Sequence, residues 1–546
     1  MSEARKVRFP KDGHVGLLYV RDQRAGANWS EYGEATGEIV VPAGNDLGLR
    51  LTWGASNLPS LAGLEQSDLI MLDASRTAIR DDDLTYLAGL TGLRHLALAY
   101  TQVSDNGLEY IEPLVQLRTL NLSTTRITNA GLARLRGMTN LRDLDLFQNE
   151  ITGAGLVHLS GLTSLQDLNL SKSGGPRARI RSGLGHLQQL SDLQSLELAW
   201  NSVGNTGLMN VGRVSTLKRL DLTGNEAITN RGLLYLSRLA ALKELHLSYT
   251  NVGDSGVEHI LRLTPIEELD LQGTRIGNKL LARLHEMPLV RTLHIAGTRV
   301  TDDGLASLMQ LSELGDLHIG LTSSITDAGM KHLRELTALD ALAFWETDIT
   351  DVGLSHVQEL TALRVLDIGD TKMTDAGLVY LRNMTELREL HLLNNQITGK
   401  GLAHLQGLSS LRSLDLMGTL VGDDAIARLQ DLPALERLRL AKTNVTDDGM
   451  IHLEKFTALR SLDIRCTSVR DRGLSLLNQV PDLRTLIMSG DELTEVGLKH
   501  LEGLPKLRHL SIWNTRLSES AFAGLRRALP NCYIEVYRDY EQSIIP

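Results

Sequence analysis

Residues 363–386 read Leu-Arg-Val-Leu-Asp-Ile-Gly-Asp-Thr-Lys-Met-Thr-Asp-Ala-Gly-Leu-Val-Tyr-Leu-Arg-Asn-Met-Thr-Glu. Counting from Leu363, the apolar residues fall at positions 1, 4, 6, 11, 16, 19 and 22. Positions 4 and 6 alternate with period two, the spacing of a strand with one face buried. Positions 16, 19 and 22 are three apart and form a single helical stripe. Between them stands Thr374-Asp375, a pair whose side chains can cap a helix start.

This 24-residue pattern recurs in nineteen units, from Leu69 through Leu117, Leu193, Ile266 and Leu411 to Leu507. One strand and one short helix cannot bury their own apolar stripe, so each unit must stack on its neighbours. The expected fold is therefore an α/β solenoid. Parallel strands line its inner, concave face, short helices line its outer face, and the wider helices bend it into an arc or horseshoe. Position 9 is Thr in thirteen units and Asn in four, a column of short polar side chains suited to backbone groups at the strand exit. Position 15 is Gly in fifteen units although Gly weakens a helix by about 1 kcal/mol, which points to close packing at that point.

The run T-x-[IV]-T-D-x-G-L-x-x-L-x-x-L-x-x-L-x-x-L-x-L resembles the leucine-rich repeats of the cysteine-containing type, as found in large bacterial tandem arrays. The resemblance covers Leu69 to about Leu529. The cysteines that name the type are replaced by Thr or Asn, a difference of subtype. What the resemblance implies is protein–protein recognition, with no partner named. No F-box is visible in residues 1–45.

Both ends require caps. Residues 1–45 read as a β-hairpin cap, with Lys6 to Val20 turning at Lys11-Asp12-Gly13. Residues 46–68 resemble a degenerate first repeat, residues 69–529 hold the nineteen units, and residues 530–546 supply a closing strand and tail. Trp29 and Trp53 are expected in the core of the N-terminal cap.

Composition narrows the function. The net charge is −10 with acids and bases intermixed, which offers little attraction to a nucleic-acid backbone or an anionic membrane. No stretch approaches the ~20 apolar residues that span a bilayer, and none near the N-terminus reads as a signal peptide. Two cysteines, Cys466 and Cys532, form no disulfide framework. A cytoplasmic monomer is expected, with export by a signal-independent route as the alternative.

Candidate contacts lie at the outward positions 3, 5, 7 and 8. From the seventh repeat, position 5 runs Asp221, His246, Asp270, His294, His318, Ala343, Asp367, His391, Asp415, Arg439, Asp463. Unlike neighbours on adjacent strands attract, so this alternation has a structural explanation. Asp270, His294 and His318 offer zinc-type ligands, but parallel side chains converge poorly on a tetrahedral centre. No metal or cofactor is expected, and His beside Asp suits a pH-sensitive surface. A further eight His at position 18 read as repeat consensus on the helix surface.

Aromatic residues cluster at positions 7 and 8: Tyr100, Phe147, Trp200, Tyr249, Trp345 and Trp513. Trp and Tyr at exposed sites are common anchors of protein interfaces. Three insertions, at residues 173–180, at Glu226-Ala227 and at Ser323-Ser324, fall between positions 9 and 11 beside those aromatics. The expected site is the concave face and this rim, centred on Phe147 to Tyr249 and including Arg177, Arg179, His246, His294 and His318. No catalytic constellation stands out. The expected function is a non-catalytic protein-binding scaffold. The alternative is a GTPase-activating or other enzyme-regulating role for the basic loop 173–181, with Arg179 as the arginine finger.

Overall fold

The computed structural model describes residues 4–11, 15–24, 27–52, 58–173 and 180–538. Residues 1–267 and 268–546 form two compact units. In the first, the strand Asn45–Leu51 is followed in parallel by Met71–Asp73, His95–Ala97 and Thr119–Asn121, and the series continues to Glu244–His246. In the second, parallel strands run from Glu268–Asp270 to Tyr533–Tyr537. Strands of adjacent repeats pair in phase, Leu168 opposite Leu196 and Leu366 opposite Leu390. The chain thus builds the α/β solenoid expected from its period.

The model repeat shows why. Leu363, Leu366, Ile368, Met373, Leu378, Leu381 and Met384 are all fully buried, which accounts for every apolar position of the pattern. Burying a Leu side chain stabilises by about 1.5–3 kcal/mol, so the repeated core outweighs the weak local preference of so short a helix. Many of these helices are 3₁₀ turns, such as Gly377–Leu381 and Gly401–Leu405. Apolar residues three apart fit three residues per turn, because positions i and i+3 then stand directly above one another.

Three ladders join neighbouring repeats. At position 9, Asn149 Nδ2 donates to the Leu122 carbonyl of the preceding repeat at 2.7 Å, and its Oδ1 accepts from the Ile127 N–H at 3.1 Å. Thr at this position is more local: Thr101 Oγ1 donates to the Leu98 carbonyl of its own repeat at 2.7 Å. The Asn residues therefore tie repeats together, whereas Thr closes each one.

The second ladder differs from the sequence expectation for Thr-Asp. The Thr does act at the helix start, as where Thr350 Oγ1 accepts from the Val352 N–H at 3.2 Å. The Asp serves the next repeat: Asp327 accepts from the Thr350 N–H and hydroxyl at 2.8 and 2.7 Å. The glycine at position 15 makes room for it. A Cβ on Gly353 would lie 2.4 Å from Asp327 Oδ1, and one on Gly131 would lie 2.3 Å from Asp105 Oδ1.

The third ladder lies at position 8, where fourteen non-glycine residues, among them Tyr100, Trp200, Leu321 and Glu346, adopt positive φ, as do four glycines. A left-handed residue costs roughly 1–2 kcal/mol. It is offset here because the N–H reaches the next repeat: Trp200 donates to the Thr223 carbonyl at 2.7 Å and Asp370 to that of Leu393 at 2.8 Å.

The N-terminal pairing also departs from expectation. Arg5–Arg8 does not form a hairpin with Gly16–Asp22 but pairs antiparallel with Glu38–Val41. Both edges of Gly16–Asp22 are taken, one by Ser30–Glu34 and the other along seven residues by Asn45–Leu51. Arg5–Arg8 instead gains the Lys6–Glu38 ion pair at 2.7 Å. The Asp12-Gly13 part of the expected turn lies outside the described residues. Trp29 is half-buried, with the Arg21 guanidinium 4.5 Å above its ring, and Trp53 lies outside the described residues. At the other end Tyr533–Tyr537 closes the sheet in parallel with His509–Trp513.

Candidate functional site

The open face of each sheet is built from positions 3 and 5, whose side chains flank the buried Leu at position 4. Position 5 has a local role that the charge pattern concealed. Its Asp or Asn accepts the N–H two residues on and so opens the turn: Asp145 from Phe147 at 2.9 Å, Asn169 from Ser171 at 2.9 Å, Asp415 from Met417 at 3.0 Å. Recurrent Asp or Asn before a turn was the available signal.

In the first unit this produces an acid-rich face. Asp143, Asp145, Asp167 and Glu197 line a shallow hollow of about 250 Å³ with Asn169 and Ser195. Burial, together with a shared hydrogen bond and charge repulsion from Asp167, pushes the Asp143 carboxyl up to about 6. Burial raises Asp145 and Glu197 as well. Arg219 offers cationic contact at one end, 2.6 Å from Glu244 and 3.9 Å from Glu197. Nearby, burial and then the Arg21 and Arg118 charges lower the His95 imidazole to about 4.

In the second unit acids and bases interleave. His391 lies 3.4 Å from Asp367, whose hydrogen bond outweighs burial and raises the imidazole above its usual value. Arg439 reaches Asp415 at 2.8 Å and Asp463 at 3.9 Å, and both carboxylates are almost fully buried. His294 and His318 stack at 3.8 Å between centroids. Asp316 lies beside both, at 3.7 Å from His294 Nε2 and 3.2 Å from His318 Nε2. Burial opposes its charge, but the two imidazoles outweigh that and hold its carboxyl well below the usual range. The partner of this His pair is therefore Asp316 at position 3, not Asp270 at position 5. Reading one column at a time hid it.

The aromatic candidates divide by exposure. Tyr100, Trp200 and Tyr249 are 48%, 39% and 41% exposed, and all three occupy the left-handed position 8. The Arg76 guanidinium lies 4.4 Å above Tyr100. Trp200 and Tyr249 belong to repeats two apart, yet their ring centroids are 6.0 Å from each other. Gly224, at position 8 of the intervening repeat, permits this: a Cβ there would sit 2.3 Å from the Trp200 ring. A hollow of about 700 Å³ opens beside the pair, lined by Arg181, Trp200, Ser202, Gly224, Glu226, Ala227 and Asn251. The Glu226-Ala227 insertion thus forms part of its wall.

The other three are half-buried. Phe147 carries Lys172 at 5.7 Å, and Trp513 packs on Tyr537 at 4.6 Å with Arg465 at 5.1 Å. Trp345 lies against Gly320 of the preceding repeat. His246 is half-buried at the end of its strand. Arg177 and Arg179 lie outside the described residues. Cys466 and Cys532 are both free thiols, and burial pushes Cys532 up to about 12. Among the described residues no helix is long and apolar enough to cross a membrane.

A family model described as a leucine-rich repeat region matches residues 199–473 and 331–535, and a leucine-rich-repeat model matches residues 115–173. The chain belongs to the leucine-rich-repeat family. Among curated proteins none matches it. Solved structures of leucine-rich-repeat proteins are similar to it at low identity. An internalin of Listeria monocytogenes is 21% identical with a TM-score of 0.33, covering 66% of this chain and 89% of that one. A leucine-rich-repeat protein of Leptospira interrogans is 18% identical at 0.32, covering 88% and 97%. TLR13, solved in complex with ssRNA13, is 17% identical at 0.48, covering 86% and 74%. These likenesses say nothing about what this leucine-rich-repeat chain binds.

Proposed function

We propose that the chain is a non-catalytic scaffold that holds a partner protein against the open face of its sheet and the adjoining rim. The Trp200–Tyr249 pair carries this reading. Two large rings are left about 40% exposed beside a hollow, on left-handed residues, where the monomer's own packing does not require them. Ser202 adds a second left-handed residue to the same repeat, and backbone strain of this kind concentrates at functional sites. The acid-rich neighbourhood of Asp143, Asp145, Asp167 and Glu197 disfavours a nucleic-acid backbone and favours a partner surface that carries cations.

The test is quantitative capture from the source cell with cross-linking to map contacts, comparing wild type with a Trp200→Ala/Tyr249→Ala variant. Cross-links are expected to concentrate around residues 200–251, and each substitution should weaken capture by more than about 1 kcal/mol. Equal capture by the folded double variant overturns the assignment.

A further inference from the structure

We propose that His294, Asp316 and His318 form a half-buried binding site for a divalent transition-metal ion of the zinc class on the sheet face of the second unit. Their donor atoms all lie within 4.8 Å of one another, and no other group of three such residues does so among the described residues. This departs from the sequence expectation of no metal.

The spacing fits a metal. With metal–donor distances of about 2.0–2.2 Å, two donors on one tetrahedral ion stand about 3.3 Å apart. The His318 Nε2–Asp316 Oδ1 and His294 Nε2–Asp316 Oδ2 separations of 3.2 and 3.7 Å bracket that value. The polar accounting points the same way. His294 Nε2 and Asp316 Oδ1 are buried yet have no hydrogen-bond partner. A cation held between them accepts those lone pairs and removes both defects.

The sequence around the cluster is also unusual for this column. Elsewhere position 5 commonly supplies the Asp or Asn that opens the turn. Here two successive repeats carry His instead, directly opposite each other in the ladder. Two imidazoles and one carboxylate select zinc-like ions over Mg²⁺ or Ca²⁺, which require oxygen donors. Three protein donors leave a fourth position for water, or for a side chain of a bound protein.

The rings now lie parallel, 3.8 Å apart and within 6°. Parallel rings cannot both aim in-plane lone pairs at one ion, so binding turns one imidazole about its Cβ–Cγ bond and breaks the stack. That movement provides a signature independent of affinity.

The experiment titrates Zn²⁺ into the untagged, chelator-stripped full chain by calorimetry and repeats it with Co²⁺ by visible absorption. The expected result is one ion per chain, with the intense visible bands of four-coordinate Co²⁺ and shifts in the His294 and His318 ring resonances. His294→Ala, His318→Ala and Asp316→Asn should each weaken binding about tenfold or more. His391→Ala, in the same column but beside Asp367, should leave it unchanged. Circular dichroism of each variant separates lost binding from lost fold, and the ring resonances of wild type need no variant. No binding at millimolar Zn²⁺, or binding unchanged in a folded His294→Ala/His318→Ala variant, overturns the proposal.

Discussion

The open faces of the two units use one backbone frame to opposite electrostatic ends. In the first, Asp143 stands opposite Asp167 in the ladder, and in the second Asp415 stands opposite Arg439. Strand spacing is the same wherever strands pair, about 4.8 Å, so burial and the identity of the neighbour together set the charge state. Burial, and then Asp167 beside it, raise the Asp143 carboxyl to about 6. Between two imidazoles the Asp316 carboxyl is held low. The repeat therefore determines where a charge sits, and the column around it determines what that charge costs.

If the frame is shared, breaking it should hurt both units alike. Gly131→Ala and Gly353→Ala each drive a methyl group into an Asp Oδ1 of the preceding repeat. That Asp cannot swing away without losing two hydrogen bonds, as Asp105 makes to Thr128 at 2.8 and 2.5 Å. A loss of about 3 kcal/mol is expected at either site by urea denaturation, relieved in part at Gly353 by a second change, Asp327→Ala. A neutral result in one unit alone would show that the frames differ.

The faces should respond unequally. Arg439→Ala removes the 2.8 Å partner of buried Asp415 in the second unit and should destabilise by about 2 kcal/mol, less at low pH, where the carboxylate can be protonated. Asp143→Asn should act in the opposite sense. A carboxyl raised in the folded state contributes stability that is full below its unfolded value near 3.8 and lost as the pH rises through about 6. The Asn variant should therefore be more stable than wild type at pH 7, by roughly 1 kcal/mol after allowance for solvent screening, and indistinguishable at pH 4. Parallel denaturation curves at the two pH values decide it. A variant less stable at pH 7 would mean that Asp143 makes a favourable ionic contact.

Much of this was legible along the chain. The residues that alternate at positions 4 and 6 and the stripe at 16, 19 and 22 are the buried ones, because burial of a repeated pattern follows directly from its period. The polar column at position 9 and the glycine at position 15 were also visible, although the reason for the glycine was not. Of the candidate contacts, the rim position of Trp200 and Tyr249 could be read from repeat numbering, but their 6.0 Å approach across Gly224 could not. Arg5–Arg8 found its partner at Glu38–Val41 because the nearer strand's edges were occupied, a competition that local alternation cannot express.

By itself the sequence determined the architecture: a strand and a short helix every 24 residues, each too small to bury its apolar side chains alone. Only the tertiary structure decided what happens between repeats. The left-handed turn at Trp200 or Glu346 is set by an N–H bonded to the next repeat, not by any preference of Trp or Glu. Asp327 serves a Thr 23 residues away, and Asp316 lies beside His318 of its own strand and His294 of the strand before. Such partners meet only once the strands have stacked, because sheet spacing brings together side chains that the chain itself keeps about two dozen residues apart.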